Sequence, residues 1–331
     1  MTSNYKPPYT ITTNIVNLVA KIAEQTTRMT FVNEMNLRLR KINRIKTIQG
    51  SLAIEGNTLD TEQITAILEG KPVLGTIREI QEVKNAIEAY DSFENWNPYK
   101  VKDMLLAHQL LLKGLIDKAG QFRSGGVGVF SGSTVVHLAP PAPRVHGLIT
   151  DLLAWLQNTS EHPLIAGAVF HYEFEFIHPF ADGNGRMGRL WQTLILSRWN
   201  KLFVHLPVEN LIYKEQASYY KAIEASTKLA DSAPFIEFIL DRILVALSDS
   251  IPEVNPQVAP EVSKLLQLLK THTELSRMEI QKLLQLKDEK NMRLRYITPA
   301  LNNNWIELTI PDKPNSRLQK YRITTLGRNI V

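Results

Sequence analysis

The sequence predicts a mainly helical protein with one inserted β-hairpin and a small α+β domain at the C-terminal end. Three observations point there. Apolar residues recur at helical spacing through most of the first 250 positions. The exception is Gln121–His137, QFRSGGVGVFSGSTVVH, which is Gly- and Ser-rich with β-branched residues on both sides of Ser131–Gly132. Finally, the proline-bearing segment Ile251–Pro260 precedes three short helical patterns and a strand–loop–strand pattern. At 331 residues the chain exceeds one small core, so two or three domains are expected.

The elements follow in order. Ile15–Thr27 and Met35–Gln49 carry the helical period. Thr61–Glu69 is a short helix opened by Asp60 as N-cap and closed by Gly70 and Pro72. Arg78–Trp96 is a long amphipathic helix, and Tyr99–Leu115 follows the Asn97-Pro98 break. The APPAP stretch after the hairpin leads into a helix over Val145–Leu156. Leu164–Phe176 and Arg186–Arg198 are the most apolar helices and should cross in the core. Beyond the linker, helices are expected at Glu261–Thr271, Arg277–Leu284 and Asp288–Asn302. Three helices before a strand–loop–strand describe a winged helix. Domain boundaries are expected after residues 97 and 250.

Composition excludes several chemistries. The chain has no Cys, so there is no disulfide, thiolate nucleophile or Cys-ligated zinc. The N-terminal segment lacks the pattern of a secretory signal, and no apolar run is long enough for a bilayer. A soluble, cytoplasmic protein is expected. The net charge is +5, but residues 255–331 hold 13 Lys/Arg against 7 Asp/Glu while the remainder is nearly neutral. A basic tail on a neutral body suggests an anionic partner for the tail.

The most informative segment is HPFADGNGRMGR, His178–Arg189. It is a turn feeding a helix. Gly183 and Gly185 permit backbone N–H groups to converge on an anion at the helix N-terminus. Arg186 and Arg189, three apart, lie on one helix face and suit successive phosphates. Asp182 is a hard oxygen ligand suited to Mg²⁺, and His178 is the group here able to act as a base near neutral pH. Phe180 reads as a buried anchor. No Walker A loop, HExxH or GxSxG occurs.

This segment resembles the signature of the Fic family, with His178, Pro179, Phe180, Asp182, Gly183, Asn184, Gly185, Arg186 and Arg189 all matching. The resemblance implies a Fic helical fold and transfer of AMP from ATP, with Mg²⁺, to a Ser, Thr or Tyr hydroxyl of a target protein. It implies that His178 is the base and that Asp182 holds Mg²⁺. Asn184 and the glycine amides would meet the α-phosphate, Arg186 the β-phosphate and Arg189 the γ-phosphate. The hairpin is similar to the Fic flap, so Val129, Phe130, Ser131 and Gly132 should border ATP and target. Tyr219 and Tyr220 match a helix beside the adenine pocket, although either also reads as an ordinary helix aromatic.

Upstream, SLAIEGN (Ser51–Asn57) reads locally as a helix end with Gly56 as a left-handed cap. It also resembles the Fic inhibitory motif, which implies that Glu55, in a motif opened by Ser51, pairs with Arg189 and blocks productive ATP binding. The basic tail carries Lys287, Lys290, Arg293 and Arg295 on its third helix, and both DNA binding and protein docking stand for residues 255–331. A reading of another class is a DNA-binding regulator whose Fic body senses nucleotide. The partners expected are therefore ATP, an unnamed target protein, DNA or protein at the tail, and a second copy in a homodimer, without a membrane.

Overall fold

Capping chemistry sets the helix boundaries in the computed structural model, which describes residues 5–32, 37–126, 128–131, 134–250, 259–286, 288–311, 313 and 316–328. Helices α1 (Thr13–Val32), α2 (Leu37–Ile54), α3 (Thr61–Leu68), α4 (Ile77–Asp91) and α5 (Val101–Leu111) come first. Asp60 and Thr76 each accept from the backbone N–H three residues on, and Gln63 and Glu79 reach back, so α3 and α4 open on capping boxes. A hairpin follows, β1 (Gly128–Ser131) and β2 (Thr134–Leu138), antiparallel with a register shift between Val129 and Phe130. Then come α6 (Ala142–Asn158), α7 (Pro163–Ile177), α8 (Asn184–Trp199), α9 (Val208–Lys214), α10 (Gln216–Leu229) and α11 (Ala233–Ser250). Among the described residues, no helix is long and apolar enough to cross a membrane.

The chain divides into two compact units, Met1–Ser250 and Ile251–Val331. Residue 97 marks no boundary between bodies. Ile48 and Leu52 of α2 and Val83 of α4 share one core with Met104 of α5, Phe170 and Phe174 of α7 and Trp191 of α8. A second core joins Ile15 and Ile22 of α1 to Val169 of α7 and Phe235 and Ile239 of α11. Helix α7 is central to both: every residue from Leu164 to Phe174 is buried, the polar His171 and Glu173 included.

Several boundaries differ from expectation for identifiable reasons. Helix α2 runs past Gln49 to Ile54, joining the expected Met35–Gln49 period to the helix end read at Ser51–Gly56, because Gly50 keeps helical geometry. Met35 and Asn36 lie outside the described residues. Helix α4 stops at Asp91, where Ser92 caps it before a 3₁₀ turn over Phe93–Asn95. Helix α5 ends at Leu111, ahead of Gly114 with its φ of 72°. Helix α9, seven residues long, was not anticipated, since its period is too short to show.

The second unit contains α12 (Pro260–Thr271), β3 (Leu275–Ser276), α13 (Arg277–Leu283), α14 (Glu289–Met292), α15 (Thr298–Asn302), β4 (Ile306–Leu308), β5 (Lys320–Ile323) and α16 (Thr325–Arg328). A π-turn over Arg293–Ile297 links α14 to α15, so the single helix expected over Asp288–Asn302 is one path with a widened turn. Pro299 explains the widening, because it lacks an N–H and its ring displaces the preceding carbonyls. The sheet order is β3-β5-β4, all antiparallel. Leu265, Leu269, Ile280, Ala300, Trp305 and Tyr321 form a core of this unit's own. Lys287 lies outside the described residues.

One glycine decides how closely α2 can dock. A Cβ on Gly50 would overlap the backbone of Asn210 in α9. Gly50→Ala should therefore lower stability by about 1–3 kcal/mol, the usual range for overpacking. Thermal unfolding of this variant beside Gly125→Ala, where a Cβ meets nothing within 4 Å, checks it. Equal melting temperatures would show that α2 can shift away from α9 without loss.

Candidate active site

The site is built where α7 ends and α8 begins. His178 caps α7 in the left-handed conformation, φ 48° and ψ 62°, which turns the chain sharply into the loop. Buried Arg123 makes this turn possible. Its Nε donates to the His178 carbonyl at 2.7 Å, and its other nitrogens donate to Ile177, Gly125 and Pro140 carbonyls. A guanidinium thus satisfies carbonyls at a helix C-terminus, where positive charge is favoured. Because Gly125 precedes β1 and Pro140 follows β2, the same side chain ties both ends of the hairpin to the turn that presents His178.

The loop is closed from within. The Asn184 amide accepts from Phe180 N–H at 2.8 Å and donates to Phe180 carbonyl at 2.9 Å. Phe180 is fully buried and stacks on His108 with ring centroids 3.7 Å apart. Gly120 N–H donates to His108 Nδ1 at 2.8 Å, so Nε2 carries the proton and donates to the Asp182 carbonyl at 3.0 Å. Burial lowers the His108 pKa to about 4, which keeps this tautomer neutral. Gly183, at φ 82°, begins α8 where a Cβ would lie 2.6 Å from Leu112 Cδ2.

Charged groups ring the start of α8. Asp182 Oδ1 accepts from Gly183 N–H at 2.6 Å and from Arg186 Nη2 at 3.1 Å. Arg189 is buried, with Nη2 2.7 Å from Glu55 Oε1 and 3.0 Å from the Ser51 carbonyl, and Nε 3.3 Å from Ser51 Oγ. The Glu55 carboxylate also occupies the space above Gly185, where any Cβ would overlap Oε1. It stands at the helix N-terminus, the place an anion prefers. Burial alone would lower the Arg189 pKa, but the negative groups around it, Glu55 first among them with Tyr219 and Glu175, together raise it. Gly56, at φ 92°, lets the turn end α2 beneath Glu55.

The sequence therefore brings His178, Asp182, Gly183, Asn184, Gly185, Arg186, Arg189, Ser51 and Glu55 into one neighbourhood, and other assignments change. Tyr219 is 2% exposed and its hydroxyl lies 3.2 Å from His171 Nε2, so it supports the core instead of lining an open pocket. Tyr220 is 48% exposed, the only one of the two with a ring open to a ligand. Both ends of the Asn184 side chain are engaged by Phe180, so a phosphate contact by this residue would fall to its backbone N–H. Val129, Phe130 and Ser131 lie on β1, and Gly132 lies outside the described residues. His108, Arg123, Arg78 and Glu82 were not anticipated. No local pattern marks them, because their partners lie far along the chain or on another helix.

Among the described residues no group of three or more His, Asp or Glu could hold a metal by itself. Asp182 nonetheless suits Mg²⁺, which takes one or two carboxylates and completes its shell with phosphate oxygens and water. Its carboxylate is 40% exposed, and Oδ2 lies off the loop's own hydrogen bonds.

Known proteins match both units of the chain. Residues 98–196 match the Fic/DOC family, and residues 260–324 match the C-terminal domain of Fic-like proteins described as filamentation induced by cAMP. A crystal structure of a Fic family protein from Desulfovibrio desulfuricans is 51% identical, covering 97% of this chain and 99% of that one with a TM-score of 0.73. Fic-1 from Caenorhabditis elegans is 26% identical over 72% of each chain, with a TM-score of 0.60. Among curated relatives, protein adenylyltransferase fic-1 of Caenorhabditis briggsae is 32% identical over 67% of this chain and 46% of its own length. The protein adenylyltransferase Fic of Drosophila mojavensis is 30% identical over 77% and 53%. The chain thus spans about half the length of the curated relatives it matches.

Buried acids beside the site set a pH dependence. Burial raises Glu175 to about 7, the Arg189 charge opposing it only in part. Its Oε1 is shielded and accepts no hydrogen bond. The folded state therefore holds a proton there that the unfolded state releases above about pH 4.5. The associated stability is present below that pH and is lost as pH rises through 7. Glu175→Gln should raise the melting temperature over wild type by several degrees more at pH 8 than at pH 5. A gain independent of pH would show that Glu175 does not titrate in this range.

Proposed function

The chain belongs to the Fic family, and from that premise we propose that it is a protein adenylyltransferase, moving AMP from Mg-ATP to a Ser, Thr or Tyr hydroxyl of a target protein and of itself, with Glu55 as its brake. One observation carries the reading: the base candidate, the metal carboxylate candidate, a helix N-terminus and two arginines fall within His178–Arg189, and a carboxylate just past the end of α2 sits on the second arginine.

In this reaction His178 takes the proton of the target hydroxyl. The hydroxyl oxygen bonds to the α-phosphorus while the bond from phosphorus to the bridging oxygen breaks, and pyrophosphate leaves. Asp182 would hold Mg²⁺, which would supply neutralisation of the phosphate charge. The α8 amides face the α-phosphate, Arg186 turns from Asp182 to the β-phosphate, and Arg189 takes the γ-phosphate. Such catalysis consists of alignment and charge neutralisation. Glu55 opposes it twice, by occupying Arg189 and by placing a negative charge where the phosphates belong.

The second unit supports a second role. Lys290, Arg293 and Arg295 are exposed, although Arg295 has Glu261 at 3.7 Å. We propose that this winged-helix segment docks an anionic partner, DNA being the first to test. Binding of the full chain to a mixed-sequence duplex should weaken steeply with salt and fall further in Lys290→Glu/Arg293→Glu. Unchanged binding by that variant would move the reading to protein docking.

The enzymatic reading makes a paired prediction. His178→Ala should cut AMP transfer by about 10²–10⁴-fold while nucleotide binding survives. Glu55→Gly should raise self-incorporation from α-labelled ATP, and adding Arg189→Ala should cancel that rise, as expected of groups acting as one unit. Equal labelling of wild type and Glu55→Gly would leave Glu55 a helix end and nothing more.

A further inference from the structure

Helix α4 carries two charged residues that close a ring over the catalytic loop. Arg78 Nη2 lies 3.4 Å from Asp182 Oδ2, and Arg78 Nε lies 3.4 Å from Glu82 Oε1. Glu82 Oε1 lies 3.5 Å from Arg186 Nη1, and Arg186 Nη2 returns to Asp182 Oδ1 at 3.1 Å. The signs alternate around the ring and its net charge is zero. Each Asp182 oxygen is thus in use. Oδ1 is engaged by the loop backbone and Arg186, and Oδ2 by Arg78.

From this juxtaposition we infer that Arg78 is a positioning residue that stands in for the metal: its guanidinium holds Asp182 Oδ2 until nucleotide and cation arrive, and so sets how readily the site takes a divalent ion. The inference rests on the metal role proposed for Asp182. A hard divalent cation needs the Oδ2 face that Arg78 covers, and it meets a positive charge there at contact distance. Displacement is feasible because the Arg78 side chain is 60% exposed and Glu82, at i+4 on the same helix, already offers it a second carboxylate. Departure of Arg186 toward a phosphate frees Glu82 to take Arg78 fully, so nucleotide entry and metal entry favour each other. Glu82 Oε2 also accepts from Asn57 Nδ2 at 2.9 Å, one residue beyond Gly56, which places the turn bearing Glu55 in the same network. The ring is thus a point where the state of the α2 end reaches the metal position.

The test is a Mn²⁺ titration of the full chain without nucleotide, followed by the loss of the free-ion EPR signal. Arg78→Ala should tighten Mn²⁺ binding by about three- to tenfold, as removal of one exposed opposing charge allows. Arg78→Lys should stay near wild type, and Asp182→Asn in the Arg78→Ala background should abolish the gain. Equal or weaker binding by Arg78→Ala, or a gain that survives Asp182→Asn, would overturn the inference. Labelling of protein by ATP is scored separately. A Mn²⁺ shift without AMP transfer would overturn the enzymatic reading and leave this one standing.

Discussion

The contact on which the site depends is the ion pair between Glu55 and Arg189. Arg189 is held almost wholly out of water on α8, while Glu55 reaches it from the end of α2. A buried cation needs an anionic partner, and loss of the partner commonly costs about 3–5 kcal/mol. The α2 terminus is therefore drawn onto α8, and Arg189 in turn caps that terminus by donating to the Ser51 carbonyl. Gly50 permits the approach to α9, and Gln216 donates to the Ile54 carbonyl at 2.8 Å to finish the same helix end. An anionic ligand offers Arg189 the one thing that can replace Glu55, another negative charge.

Around that pair the protein uses neutral polar groups where rigidity is needed and charged groups where exchange is needed. His108 and His171 are both buried, with pKa values lowered by burial to about 4 and about 3, so each acts as a fixed donor and acceptor. His108 fixes the loop through Asp182, and His171 links Gln192 at 2.6 Å to Tyr219 beneath it. Asn184 and Arg123 hold only backbone. By contrast, Asp182, Arg186, Arg78 and Glu82 hold one another by ion pairs in which each charge has an alternative partner at hand. The loop can therefore keep its shape while its charges change partners.

Much of this was legible in the chain. The spacing of His178, Asp182, Gly183, Gly185, Arg186 and Arg189 is a local property, because a turn followed by a helix N-terminus positions them within twelve residues. The helix starts at Thr61 and Ile77 are local too, written in Asp60 with Gln63 and Thr76 with Glu79. The pairing of Glu55 with Arg189 was available only through the resemblance of the Ser51–Gly56 segment, since 134 residues separate the two and nothing in their spacing says they meet.

The sequence by itself thus determined the mainly helical class, the hairpin, the basic C-terminal unit and the chemistry of the loop, because periodicity, caps and turn residues act over a few positions. Tertiary structure alone decided that residues 37–91 belong to the same body as the loop, that Tyr219 is a core residue and Tyr220 a surface one, and that Arg123 fastens the hairpin beside His178. It also placed Arg78 and Glu82 over Asp182 and Arg186. Each of these depends on which helix faces which, and that follows from burying α7 on every side. The summed fit of apolar surfaces fixes those facings, and no short stretch of chain encodes them.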